Sequence, residues 1–197
     1  MDKTKQFKQY REMYKEFYYN SYLINQDEEA IHIEYEFEIP GLTKFNPKLK
    51  ILKKNLKLKN IETKYVQNMV FHIGLIELVS YWKSTCSPRV IIKCGCLNEE
   101  QIAWWKKLYF YGLGELFFTN NIETNIEEFM QITCLEKENK LEYEEIQEQS
   151  EGYIIPIGGG KDSVVTLETL KVDRKKRLLS NYKSKACNFR MCKDSRI

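Results

Sequence analysis

Between Ile31 and Ile39 the chain alternates without a break. Ile31, Ile33, Tyr35, Phe37 and Ile39 are apolar, and His32, Glu34, Glu36 and Glu38 stand between them. Successive side chains of a strand point to opposite faces, so period two predicts a half-buried antiparallel strand with one wet face. His32 falls on that wet face and reads as a solvated histidine. Upstream, Phe17–Ile24 is rich in aromatic and branched residues and predicts a second strand, with residues 25–29 as the turn. Residues 1–16 are charged with scattered aromatics and form a loose or helical lead-in. Pro40-Gly41 turns the chain after the alternating strand. Leu49 and Ile51, with Leu56 and Leu58, predict another strand pair inside a segment of seven lysines, Thr43–Lys59. That run reads first as a solvated face and second as a surface holding an anion.

The period then changes. From Ile61 to Thr85, Val66, Met69, Val70, Ile73, Ile76, Val79 and Trp82 recur at three and four, which predicts a long amphipathic helix. Gly74 within it predicts the close approach of another element, and Ser87-Pro88 ends it. Arg89–Gly95 is a short run of strand type. Asn98 with Gln101 is a capping box that opens a second helix, carrying Ile102, Trp105, Leu108 and Tyr109, and Gly112 and Gly114 stop it. Glu115–Thr119 and Glu128–Cys134 predict strands separated by an Asn-rich turn. Leu135–Glu151 is strongly acidic and reads as a linker, which bounds an N-terminal domain at residues 1–150.

Beyond the linker, Tyr153–Ile157 breaks into Gly158-Gly159-Gly160, then Lys161-Asp162-Ser163, then the helical Val164–Leu170. Strand, glycine loop and helix present bare N–H groups to a phosphate at the positive end of a helix dipole. The order fits neither G-x-x-x-x-G-K-[ST] nor G-x-G-x-x-G. It resembles the SGGxDS pyrophosphate loop of the ATP pyrophosphatases, which cleave ATP between the α and β phosphates to adenylate an acceptor. Gly158 stands where that loop has serine. The resemblance implies that Gly158, Gly159, Gly160, Lys161, Asp162 and Ser163 hold the phosphates of ATP, with Mg²⁺ spreading their charge.

With 197 residues the chain suits one large or two small domains. No run of eighteen apolar residues occurs, and no hydrophobic region follows the start, so neither a membrane span nor a signal peptide is predicted. The six cysteines form no CxxC pair and read as reduced cytosolic thiols, which places the chain in the cytoplasm. Two histidines, His32 and His72, are too few for a His-rich metal site. The net charge of +3 hides an asymmetry: residues 1–170 carry 21 basic against 26 acidic side chains (−5), and residues 171–197 carry 10 against 2 (+8). A nucleic-acid reading therefore rests on the tail alone. Charge flips and sheet pattern ceases together after Leu170. A break in frame or a truncation is one explanation of this change, and a genuine basic helical tail is the other.

Phe71–Glu77 with Ser80–Lys83, Asn98–Tyr109 with Gly112–Glu115, and Pro156–Leu170 together resemble the N-terminal region and first loop of the UDP-N-acetyl-α-D-muramoyl-L-alanyl-L-glutamate epimerases, over roughly residues 15–170. The resemblance implies an α+β N-terminal domain of antiparallel strands with two amphipathic helices. The beginning of an α/β pyrophosphatase-loop domain (151–170), truncated, would follow, and then the basic tail (171–197). It implies a UDP-linked muramoyl dipeptide as substrate, whose terminal L-Glu is inverted to D-Glu with release of AMP and pyrophosphate in peptidoglycan precursor synthesis. Adenylating the carboxylate removes its charge and acidifies the adjacent Cα–H, so that a base and an acid can invert the centre. His72, Glu77 and Glu115 lie in the resembling blocks and are candidates by position only. A packed histidine and helix-surface glutamates are the blander readings, and the catalytic pair is unassigned. Two alternatives stay open. A tRNA-modifying or other adenylating pyrophosphatase would usually add a CxxC pair or a cysteine in a separate loop. A non-catalytic remnant would keep the N-terminal fold, and an interrupted chain is expected not to turn over ATP alone.

Overall fold

A computed structural model describes residues 3–55, 63–136, 152–158, 160–171 and 176–181. The chain divides into two compact units, Met1–Glu144 and Glu145–Ile197. The first is an α+β domain built on a mixed six-stranded sheet.

Helix α1 (Lys3–Met13) leads into strands β1 (Glu16–Gln26) and β2 (Ala30–Ile39), which pair antiparallel. The alternation in β2 is realised in full: Ile31, Ile33, Tyr35, Phe37 and Ile39 are all buried. The register slips between Tyr19 and Ser21, making Asn20 a bulge that switches the inward parity of β1. Phe17 and Tyr19 point to the core before the bulge, and Tyr22 and Ile24 pack on it afterwards. Asn20 Nδ2 donates to Glu36 Oε1 (2.9 Å) and Glu38 Oε2 (2.7 Å), which fixes the bulge on the wet face.

Strands β3 (Thr43–Phe45) and β4 (Lys48–Leu52) lie in succession along the other edge of β2. Between them the Pro47 carbonyl accepts the Tyr35 N–H at 3.0 Å. Leu49 and Ile51 are thus in a strand as expected, while Leu56 and Leu58 fall outside the described residues. The lysines here answer the glutamates of β2, with Lys44 on Glu36 (3.0 Å) and Lys48 on Glu34 (2.7 Å).

The β1–β2 turn is held by Asp27, whose carboxylate accepts from the N–H groups of Glu29 (2.8 Å) and Ala30 (2.7 Å) and meets His32 Nε2 at 2.7 Å. These contacts, His32 foremost, hold its pKa down at about 2. A carboxylate depressed in the folded state stabilises above its ordinary range and loses that contribution as pH falls through the folded value. Asp27→Asn should therefore flatten the acid-unfolding curve between about pH 4 and about pH 2. An unchanged acid limb in a pH-resolved denaturation series would show the turn contributes nothing.

Helix α2 (Lys64–Trp82) starts where Thr63 Oγ1 accepts the Val66 N–H. Its buried line is Val66, Val70, Phe71, Gly74, Leu75, Leu78 and Trp82. The expected stripe is only partly right, since Met69 and Ile76 are 45% and 58% exposed. Apolar residues sit on nearly all sides of this helix, so its period marks no single face. The sheet chooses the face instead. Tyr35 Oη donates to the Val70 carbonyl (3.1 Å), Tyr19 Oη to Phe71 (3.4 Å) and, from the next helix, Tyr109 Oη to Leu75 (2.6 Å). Strand β5 (Arg89–Ile92) then runs parallel to β1.

The capping box of Asn98 and Gln101 opens α3 (Glu99–Gly112), which buries Trp105 and Tyr109 but leaves Leu108 45% exposed. The strand expected at Glu115–Thr119 is instead helix α4 (Gly114–Thr119). Gly112 and Gly114 interrupt the helical path at Leu113 alone, and Leu113 serves both helices. Its carbonyl already accepts the Phe117 N–H at 3.0 Å. A five-residue segment with three apolar residues, Leu116, Phe117 and Phe118, cannot by itself separate strand from helix. Strand β6 (Gln131–Cys134) pairs parallel with β5 and is shorter than Glu128–Cys134. Asn125 Oδ1 accepts the N–H groups of Glu127 and Glu128 and turns the chain first. Arg11 ties α1 to both ends of this region by donating to the carbonyls of Cys86, Glu128 and Phe129.

In the second unit, β7 (Gly152–Ile157), α5 (Lys161–Leu170) and β8 (Lys176–Asn181) follow one another, and β7 and β8 pair parallel. Ile155, Ile157 and Leu167 are buried together with Leu170 against them. The expectation that no sheet pattern follows Leu170 is overturned at 176–181. Lys-Arg-Leu-Leu-Ser-Asn alternates nothing, so period two is silent there, and the strand is shown by its ladder with β7. The linker residues 137–151 and the tail positions 172–175 and 182–197 lie outside the described residues.

Candidate functional site

The glycine loop sits between the carboxyl end of β7 and the amino end of α5, the position at which α/β units hold ligands. Ser163 Oγ accepts the Gly158 N–H at 3.2 Å, so the helix reaches back and closes the loop. Gly160 precedes the helix with φ −86° and ψ 170°, and no side chain caps the helix start. The Ser163 and Val164 N–H groups bond the Gly160 carbonyl. The donors ahead of them, at Lys161 and Asp162, belong to the first turn, whose N–H groups find no partner within a helix.

A Cβ built on Gly158 or Gly160 meets nothing within 4 Å, and neither residue has a left-handed φ. The fold thus requires glycine at neither position. Gly159 lies outside the described residues. Lys161 and Asp162 are exposed and Ser163 is half-buried. Among the described residues no group of three or more His, Cys, Asp or Glu is placed to hold a metal ion.

The three acid/base candidates are not brought together. His72 is half-buried in α2, its ring stacked on Trp105 at 5.8 Å between centroids, and burial lowers its pKa. Glu77 is exposed five residues further along the same helix, roughly 140° around it. Glu115 is exposed in the first turn of α4. None of the three hydrogen-bonds another.

Three of the thiols of the first unit, Cys86, Cys94 and Cys134, are poor nucleophiles. Burial pushes Cys86 and Cys134 up to about 11 and Cys94 up to about 12, and a protonated thiol is a poor nucleophile. Sequence reasoning did not anticipate a pocket of about 400 Å³ lined by His72, Ile76, Gln101, Trp104 and Trp105. The adjacent Trp104-Trp105, one 57% exposed and one 4%, was the available signal.

A mixed-sheet α+β domain followed by a strand–glycine loop–helix–strand unit defines the class of this chain. It belongs to the MurL N-terminal domain family, whose model matches residues 8–194 and so runs through the sheet, the loop and β8. It is also similar to the UDP-N-acetyl-alpha-D-muramoyl-L-alanyl-L-glutamate epimerase of Xanthomonas oryzae pv. oryzae (strain MAFF 311018), 25% identical over 115 residues. That match covers 54% of this chain and 23% of the relative. No solved structure matches. Among the described residues no helix is long and apolar enough to cross a membrane.

Proposed function

We propose that this chain takes part in the ATP-dependent inversion of the terminal L-Glu of UDP-MurNAc-L-Ala-L-Glu, and that Gly158–Ser163 is its phosphate cradle. The family and the name of the relative support the substrate class. The observation that carries the cradle is the pair of glycines, Gly158 and Gly160, with open space at their Cα atoms beside an uncapped helix start. In this reading the N–H groups of Lys161 and Asp162 receive phosphate oxygens along the α5 dipole. The Lys161 ammonium adds charge, the Ser163 hydroxyl keeps its proton to donate because its oxygen already accepts from Gly158, and Asp162 faces Mg²⁺. MgATP, when bound, supplies the adenylyl group that neutralises the substrate carboxylate and acidifies its Cα–H. No residue is assigned as acid or base. A cytoplasmic setting belongs to the same proposal, supported by the free thiols of Cys86, Cys94, Cys96 and Cys134. The raised pKa values of Cys86, Cys94 and Cys134 count against these three as the nucleophile of a tRNA-thiolating alternative.

Binding tests the reading independently of turnover. Calorimetry should show the chain binding MgATP and UDP-MurNAc-L-Ala-L-Glu. Wherever turnover occurs in deuterated water, AMP is the nucleotide product and deuterium enters the glutamate α-carbon. ADP formation, inversion without label, or no affinity for either ligand would sink the proposal.

A further inference from the structure

The pocket between α2 and α3 has a chemistry the glycine loop does not use. Trp104 offers an exposed indole and Ile76 an exposed apolar side chain, 57% and 58% accessible respectively. The His72 ring stacks on Trp105 with only 12° between the planes. Neither ring nitrogen of His72 hydrogen-bonds any described residue. Burial lowers its pKa, so near neutral pH the ring is uncharged and carries one donor and one acceptor. Gln101 is fixed more tightly. Its Oε1 accepts the Asn98 N–H at 3.0 Å in the capping box, while its own N–H bonds Asn98 Oδ1 at 2.8 Å. That contact settles which end of the amide is which and leaves Nε2, bonded to no described residue, as the end available to a ligand.

A cavity of about 400 Å³ with aromatic walls, one fixed amide donor and one imidazole acceptor suits a flat heterocycle with a carbonyl beside an N–H. We propose that this pocket binds the uracil ring of a uridine nucleotide. Trp104 stacks on the base, Gln101 Nε2 donates to the O4 carbonyl, and His72 accepts from the imide N–H. The inference rests on the proposed function for its choice of uridine. The discrimination it predicts comes from the capping box. Cytosine sets an amino donor where uracil has a carbonyl, and the Gln101 amide cannot turn to accept it without breaking its bond to Asn98. A ligand that covers the Gln101 donor without pairing it loses that hydrogen bond and binds more weakly.

Uridine and cytidine are the probes, because neither carries a phosphate that the glycine loop could hold. The chain has three tryptophans, and Trp82, whose indole N–H donates to the Ser87 carbonyl at 2.8 Å inside the core, is an internal control. In ¹H–¹⁵N spectra uridine should move the indole signals of Trp104 and Trp105 and leave Trp82 in place. Cytidine should bind roughly tenfold more weakly or worse. Gln101→Glu keeps an acceptor for Asn98 and removes the donor, and His72→Phe keeps a ring on Trp105 and removes the acceptor. Each should weaken uridine by about tenfold with an unchanged melting temperature. Equal binding of the two nucleosides, equal movement of Trp82, or unaltered affinity in both variants overturns the site. The failure of the parent reading looks different. If uridine binds as described while UDP-MurNAc-L-Ala-L-Glu is neither bound nor epimerised, the proposed function falls and the uridine site stands. If the dipeptide is bound equally by the chain and both variants, the site falls and the function stands.

Discussion

Gly74→Ala should lower the stability of the first unit by about 2–3 kcal/mol, although alanine is the better helix former. A Cβ at this point of α2 would overlap the Tyr19 hydroxyl and lie 2.6 Å from Tyr19 Cζ and 2.8 Å from Tyr35 Cε1. Neither ring can retreat. Both are at most 1% exposed, and both hydroxyls are held on α2 carbonyls, Tyr19 on Phe71 and Tyr35 on Val70. The substitution gains about 1 kcal/mol of helix propensity and must displace two packed aromatics to do so. Removing the hydroxyl in a Tyr19→Phe background gives only partial relief, because Cζ remains. Gly112→Ala is the control, since a Cβ there meets nothing within 4 Å and α3 should be unaffected or slightly firmer. Denaturant midpoints of the four proteins decide it. A wild-type midpoint for Gly74→Ala would mean that α2 does not lie against β1 and β2 as described.

Gly74 was legible as a point of close approach because a glycine inside an apolar helical period has few other uses. β2 was legible for a similar reason: period two over Ile31–Ile39 admits one structure. Where the sequence misled, the information sat in a partner. The Asn20 bulge is fixed by Glu36 and Glu38 across the strand pair, and the inward face of α2 by three tyrosine hydroxyls from other elements. Helix α4 was mistaken for a strand because its apolar run is shorter than two helical turns. β8 was missed because a parallel strand owes its place to its ladder, not to alternation. The loop could be read from its residue order, but the room beside Gly158 and Gly160 could not. In the α2–α3 pocket, Gln101 was visible only as half of a capping box. That it also lines a pocket with His72 depends on a different helix, α2.

Gly160→Ala should move folding and nucleotide binding in opposite directions. Gly160 has an extended φ of −86° that any residue adopts, and its new Cβ meets no atom of the chain. Alanine there narrows the unfolded ensemble without straining the folded one, so thermal stability should hold or rise by up to about 1 kcal/mol. The methyl instead occupies the space beside the first-turn N–H groups of α5, which phosphate oxygens would enter in the proposed cradle. Displacing a phosphate by a few tenths of an ångström weakens each charge-assisted bond, and overpacking of this kind costs about 1–3 kcal/mol. MgATP affinity should therefore fall by up to about a hundredfold. Ser163→Ala separates the two roles of the loop: it removes the acceptor of the Gly158 N–H and so should loosen the loop as well as weaken binding. If Gly160→Ala binds MgATP as the parent chain does while its unfolding is also unchanged, the open space at the loop is incidental and α5 is only a helix that follows a turn.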